Sequence, residues 1–171
     1  SRDNHRHFVR FYNYFYDEKS IYMAMEYAIG GELKRALDRH VETHKRGFSE
    51  HRVAVWMQQL GDALAYMHGM NITHRDIKPE NILLGSDNEI MLTDFGWSIR
   101  SARRRETLCG TPDYLSPEIV SAQMGRRGGS HGSRSAGFDL SVDLWACGVL
   151  AFELLVGDAP FSWTQEDEDA W

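Results

Sequence analysis

His74-Arg75-Asp76-Ile77-Lys78-Pro79-Glu80-Asn81 is the stretch on which the reading of the chain turns. Asp76 supplies a carboxylate able to accept or orient the proton of an attacking hydroxyl. Asn81, five residues on, offers a neutral oxygen of the kind a hard divalent cation such as Mg²⁺ prefers. Lys78 would put positive charge on a transferring phosphoryl group, where negative charge must be stabilised. Together these residue types point to phosphoryl transfer. A polar loop matching by chance at all these positions is a far weaker account.

Downstream, Asp94-Phe95-Gly96 follows the apolar run Ile90 to Thr93, 18 residues after Asp76. Alone the tripeptide says little. After a short strand and beyond the first motif, Asp94 becomes a second metal-ligand candidate that bridges phosphates through Mg²⁺. A turn with Gly96 at positive φ describes the same backbone. Gly110-Thr111-Pro112-Asp113-Tyr114-Leu115-Ser116-Pro117-Glu118 is the third element, with Ser116-Pro117-Glu118 where protein kinases carry A-P-E.

Taken in order, these motifs resemble the catalytic loop, metal-binding motif and activation segment of the Aurora family of serine/threonine protein kinases. Trp97 after Gly96 resembles that family, as does the activation-loop run Arg104-Arg105-Glu106-Thr107-Leu108-Cys109-Gly110-Thr111. Upstream, Glu26-Tyr27-Ala28 resembles the hinge. The similarity covers most of the chain, interrupted at residues 42–48 and 125–137. It implies an ATP- and Mg²⁺-dependent transferase with an α+β, protein-kinase-like fold, incomplete at both ends. Residues 1–27 would be an N-lobe remnant, a β-hairpin; 28–31 the hinge; and 32–171 a mostly helical C-lobe, with a surface loop at 125–137. Met25 would be the gatekeeper, peptide groups of Glu26 and Ala28 would meet the adenine edge, and Leu83 would lie beneath the ring. Glu32 would touch the ribose or a substrate arginine, or serve as a helix-start carboxylate favoured by the dipole. His74, Phe95, Gly96, Glu118 and Asp143 would be structural, Asp143 anchoring the catalytic-loop backbone. Thr107 would be the activating phosphosite. A phosphate there adds charge that Arg75 and Arg105 could bind, ordering the loop. Arg104 and Arg105 before Thr107 match a preference for basic residues ahead of the target hydroxyl, although Glu106 departs from the family.

No G-x-G-x-x-G motif and no strand lysine of the V-A-I-K type precede the hinge. The isolated chain is therefore expected to bind ATP weakly and transfer little phosphate. The alternative is a truncated or pseudokinase-type binding scaffold. Family-type partners would be protein Ser/Thr substrates and an activator on the N-lobe, with spindle or chromosome association.

Elsewhere, Phe8 to Tyr16 and Ile21 to Tyr27 read as a hairpin, and Glu32 to Thr43 as a helix. Ser49 reads as the N-cap of a long helix whose apolar face carries Val53, Trp56, Met57, Leu60, Ala63, Leu64 and Met67. Ile72-Thr73, Ile82 to Leu84 and Ile90 to Thr93 read as short strands, Ser98 to Thr107 as a polar loop, and Val142 to Val156 as a buried helix. That last run is too short to span a bilayer and contains Glu153. With 171 residues, 42% hydrophobic, and a formal net charge of -6, the chain reads as a soluble domain. It has no basic field for nucleic acid, no membrane segment and no signal peptide, so a cytosolic or nuclear site is expected. Two cysteines, Cys109 and Cys147, read as reduced, with Cys109 either a redox-sensitive thiol or a small semi-buried residue. His40 and His44 have zinc-compatible spacing without an evident third ligand. Trp163 to Trp171 has no assigned role.

Overall fold

A computed structural model describes residues 5–100, 111–121 and 140–161. Thr107, Arg105, Cys109, the loop 125–137 and the run from Trp163 to Trp171 lie outside these residues.

Strands β1 (Phe11–Tyr16) and β2 (Ile21–Met25) form the expected antiparallel hairpin. Asp17 makes the turn, its Oδ1 accepting the backbone N–H groups of Lys19 and Ser20 at 2.8 Å each. This side-chain capture of nearby amides is why Asp favours turns. β1 starts later than the sequence suggests, because residues 7–9 pair elsewhere. Val9 N–H donates to Leu92 O (3.0 Å), and Leu92 N–H to His7 O (2.8 Å).

A three-stranded antiparallel sheet follows, ordered β3 (Gly31–Glu32), β5 (Ile82–Leu84), β6 (Ile90–Leu92). β3 is absent from the sequence reading, in which the Gly30-Gly31 pair only ends a strand. Here the glycines permit contact. A Cβ at Gly30 would lie 2.7 Å from both Cβ and O of Leu84, and Gly31 holds φ at +69°. β4 (Ile72–Thr73) pairs with β7 (Ile99–Arg100), so the expected polar loop carries a strand at its start.

Helix α1 (Leu33–His44) buries Leu33 and Leu37. Helix α2 (Glu50–Gly69) buries Val53, Trp56, Leu60, Ala63, Leu64 and Met67, the periodic face read from sequence, with Met57 partly buried. Ser49 does occupy the N-cap, but its hydroxyl makes no capping bond. Helix α3 (Ser141–Val156) is not buried all round. Val142, Ala146, Val149, Leu150 and Leu154 face the core, while Leu144 and Val156 are exposed. A nearly continuous apolar run hides which face is covered, because period cannot be read where apolar residues stand on all sides.

Among the described residues, α1, α2, α3 and the β5–β6 edge enclose the main core, and Val142 packs with Leu115 and Ile119 in a smaller second cluster. No helix among the described residues is long and apolar enough to cross a membrane.

Candidate active site

Residues 74–81 run from β4 through a single 3₁₀ turn at Pro79–Asn81 into β5. The 3₁₀ turn and the strand point Asn81 back at Asp76. Asn81 Nδ2 donates to Asp76 O at 2.8 Å and to Asp76 Oδ2 at 2.7 Å. Its amide oxygen stays outside that pair of bonds. Lys78 Nζ lies 3.0 Å from Asp76 Oδ2 and donates to Thr111 Oγ1 at 2.8 Å. Thr111 in turn donates to Asp76 Oδ1 at 3.3 Å. Asp76 is thus a buried carboxylate with three polar neighbours, a charged group whose burial is compensated by an adjacent cation and hydrogen bonds.

The loop is held from below by Asp143 on α3, which is 1% exposed. Asp143 Oδ2 accepts His74 N–H and Oδ1 accepts Arg75 N–H, at 2.9 and 2.8 Å. His68 Nε2 donates to the same Oδ2 at 2.9 Å. These bonds satisfy two backbone donors in a loop that no sheet pairs. Arg75 there has φ +72°, and its Nε donates to Trp97 O at 2.8 Å.

His74 joins the two motifs. Its Nδ1 accepts Asp76 N–H at 3.3 Å and its Nε2–H donates to Thr93 O at 3.1 Å. One nitrogen accepts and the other donates, which is the neutral ring. Burial pushes its pKa down, against the pull of Asp143 and other nearby acids. Thr93 N–H also donates to Asn81 O at 3.0 Å, so the backbone places Asp94 one residue beyond Asn81's neighbour. Asp94 is exposed and has φ +58°. The left-handed residue of this turn is therefore Asp94 and not Gly96, because Asp94 Oδ1 accepts Gly96 N–H at 3.1 Å and stabilises the bend. Phe95 packs against Phe8 and His74, with ring centroids 5.7 and 5.3 Å apart.

Asp76, Lys78, Asn81 and His74 are brought together directly. Asp94 reaches them through backbone bonds. Asn81's oxygen and the Asp94 carboxylate are hard oxygen donors that suit Mg²⁺.

At the expected nucleotide edge, Met25 ends β2 and Leu83 is half-buried opposite Glu32 in the β3–β5 pair. Glu26 N–H donates to Arg10 O at 2.8 Å, which leaves the Glu26 carbonyl as that residue's backbone group for a ligand. Ala28 is buried, and its carbonyl accepts Gly31 N–H at 3.1 Å. Glu32 is the N-cap residue of α1 and pairs with Arg35 Nε at 3.1 Å. Glu118 is exposed on the helical segment 117–121.

Thr111 and His68 were not assigned roles by sequence reasoning. Thr111 stood inside a recognised motif, but only its fold-back onto Lys78 reveals its place. His68, the penultimate residue of α2, gives no signal in the sequence. The His40 and His44 rings stack at 4.2 Å, with His44 Nδ1 donating to His40 O. That bond uses His44 Nδ1 within the helix. Cys147 is a free thiol, and burial raises its pKa to about 12, which makes it a poor nucleophile.

A small cleft is lined by Arg75, Asp76, Thr111, Ser116, Val142 and Asp143, among others. Ser116 Oγ is buried with no hydrogen-bond partner.

Comparison with known proteins places the sequence in a family. The sequence model of the protein kinase domain matches residues 1–171. The chain is 44% identical to mouse Aurora kinase C over 165 residues, covering 96% of this chain and 53% of that protein. It is 42% identical to Arabidopsis thaliana serine/threonine-protein kinase Aurora-2, covering 96% and 52%. It is 46% identical to the Saccharomyces cerevisiae Aurora kinase, covering 96% and 40%. The chain thus spans about half the length of the curated relatives it matches. With a kinase domain model matched along its whole length and Aurora kinases as its relatives, the chain belongs to the protein kinase family, in its Aurora-type serine/threonine branch.

Proposed function

We propose that this chain is the catalytic core of an Aurora-like enzyme that transfers the γ-phosphoryl group of ATP to Ser or Thr hydroxyls of proteins with basic residues ahead of the target. The observation that carries the reading is the Asp76 carboxylate, buried and bonded to Asn81 Nδ2, Lys78 Nζ and Thr111 Oγ1. Asp76 takes the proton of the attacking hydroxyl, whose oxygen then bonds to phosphorus as the bond to the ADP oxygen breaks. Lys78 places its charge on the transferring group. Asn81 and Asp94 hold magnesium through their oxygens. When bound, Mg·ATP supplies the phosphoryl group and neutralises part of its charge.

In this reading residues 1–27 belong to the N-lobe, 28–31 are the hinge and 32–171 a mostly helical C-lobe. Met25, the Glu26 carbonyl, Ala28, Glu32 and Leu83 line the nucleotide. Phosphorylation of Thr107 activates the enzyme through Arg75 and Arg105, and an activator protein binds the N-lobe. Spindle or chromosome association belongs to the same proposal. Exposure of the hairpin favours weak nucleotide binding by the isolated chain, which is also what the scaffold alternative requires.

Titrating Mg·ATP into the chain tests this. Saturable binding is expected for wild type and should be lost in Asp94→Asn; indifference to that change overturns the metal assignment. In the full-length protein, Asp76→Asn should keep nucleotide binding while transfer to a basic Ser/Thr peptide falls roughly 100- to 10,000-fold. Retained transfer means Asp76 is not the base.

A further inference from the structure

The connection between α1 and α2 falls in residues 42–48, one of the two stretches where the resemblance to the Aurora family is interrupted. It is basic in an acidic chain. Across residues 39–52, Arg39, Lys45, Arg46 and Arg52 stand against Glu42 and Glu50, and three histidines lie among them. The whole chain has a formal net charge of -6. All four basic residues are exposed. Among the described residues, Lys45, Arg46 and Arg52 make no ion pair.

These charges stand on a fixed corner. Gly47 packs so closely on the end of α3 that a Cβ there would collide with the carbonyls of Leu154 and Leu155. Phe48 N–H donates to Leu154 O at 2.8 Å. The Phe48 ring meets Trp56 edge-on, with centroids 5.0 Å apart, and lies 4.4 Å from the His40 ring. The Arg52 guanidinium lies over Phe48 and Trp56, at 5.9 and 5.8 Å from their centroids. That contact orders a long side chain while its charge stays in water. His40 senses the field around it. Desolvation, then His44, Arg46 and Arg52 hold its pKa down, against a hydrogen bond at Gly47. Positive groups from both helices therefore converge, and no acid offsets them at His40. Gathering like charges costs free energy that an anionic ligand recovers.

We infer that the α1–α2 corner, through Lys45, Arg46 and Arg52, docks an acidic peptide segment, a run of Asp and Glu, on a protein partner. An exposed arginine offers a carboxylate two parallel N–H bonds. A run of carboxylates lets several individually weak pairs act together. None of these residues belongs to the Asp76 site, so the surface holds a partner without occupying the catalytic loop.

The test titrates a fluorescently labelled peptide of alternating Asp and Glu into the full chain, read by anisotropy. Saturable binding that weakens as salt rises is expected; no saturable binding overturns the surface. Lys45→Glu with Arg46→Glu should weaken binding roughly tenfold or more, with the urea midpoint unchanged. The matched charge change Lys19→Glu with Arg100→Glu, at exposed residues elsewhere, should leave it unchanged. An equal loss from that second pair would mean that the peptide answers to bulk charge, and overturns the docking surface. A readout on wild type needs no variant: the peptide should move the indole signal of Trp56, beneath Arg52, and leave that of Trp97 in place. A shift at Trp97 with Trp56 unmoved puts the peptide elsewhere and overturns the assignment. Single-stranded RNA or anionic-lipid vesicles that bind the corner more tightly than the peptide would also overturn it. So would a gain in peptide affinity when Glu166, Asp167, Glu168 and Asp169 are changed to their amides, since the occupant would then be the chain's own acidic run.

Discussion

Ser116 stands where related kinases carry alanine, and its hydroxyl is buried without a partner. Removing an unsatisfied buried polar group of nearly the same shape relieves its desolvation cost. Ser116→Ala is expected to raise stability by about 1 kcal/mol, read as a higher urea midpoint with an unchanged slope. A lower midpoint would show that the hydroxyl is bonded after all. At this scale the catalytic-loop residues were legible, because Asp76, Lys78 and Asn81 carry their chemistry in their identity and spacing. The left-handed residue was not. Sequence favoured Gly96 because glycine enters that region freely, whereas Asp94 enters it by capturing Gly96 N–H. The role of Thr111 was equally hidden, since it depends on a contact 33 residues away in the chain.

Among elements, helix α2 was visible in the sequence through its apolar period, α1 through its helical composition, and the hairpin through its aromatic and β-branched runs. β3 was not, because two residues carry no period, and its formation depends on Gly30 meeting Leu84. Gly30→Ala would place a methyl group 2.7 Å from Leu84 Cβ and carbonyl oxygen, against backbone that cannot swing aside. The expected cost is about 1–3 kcal/mol, measured by urea unfolding, with the Gly30–Leu84 hydrogen bond lost first. A neutral result would mean that the β3–β5 pair shifts without penalty. α3 was legible as a helix, but its covered face was not, because after Ser141 its only charged residues, Asp143 and Glu153, both turn inward.

At the scale of the molecule, the hairpin and the helical core differ in kind. Tyr14, Phe15, Tyr16, Ile21 and Met23 are all exposed, and among the described residues β1 and β2 pair only with each other. A two-stranded ribbon with no buried face is marginal in water. Backbone amides of β1 and β2 are therefore expected to exchange at least about a hundredfold faster than those of α2 in the isolated chain. Equal protection would show that something covers the ribbon. The kinase-like architecture was legible at this scale because the motifs fix an order along the chain. The docking of residues 7–9 onto β6 was not, since one parallel bridge leaves no pattern in a sequence.

Arg75 and Asp94 both keep φ positive, at +72° and +58°, where an L side chain costs roughly 1–2 kcal/mol. Glycine at either position would relax the backbone and discard the guanidinium or the carboxylate. Durability and chemistry thus pull against each other at these two points. A glycine that relaxed either bend would therefore remove the side chain on which the proposed chemistry depends.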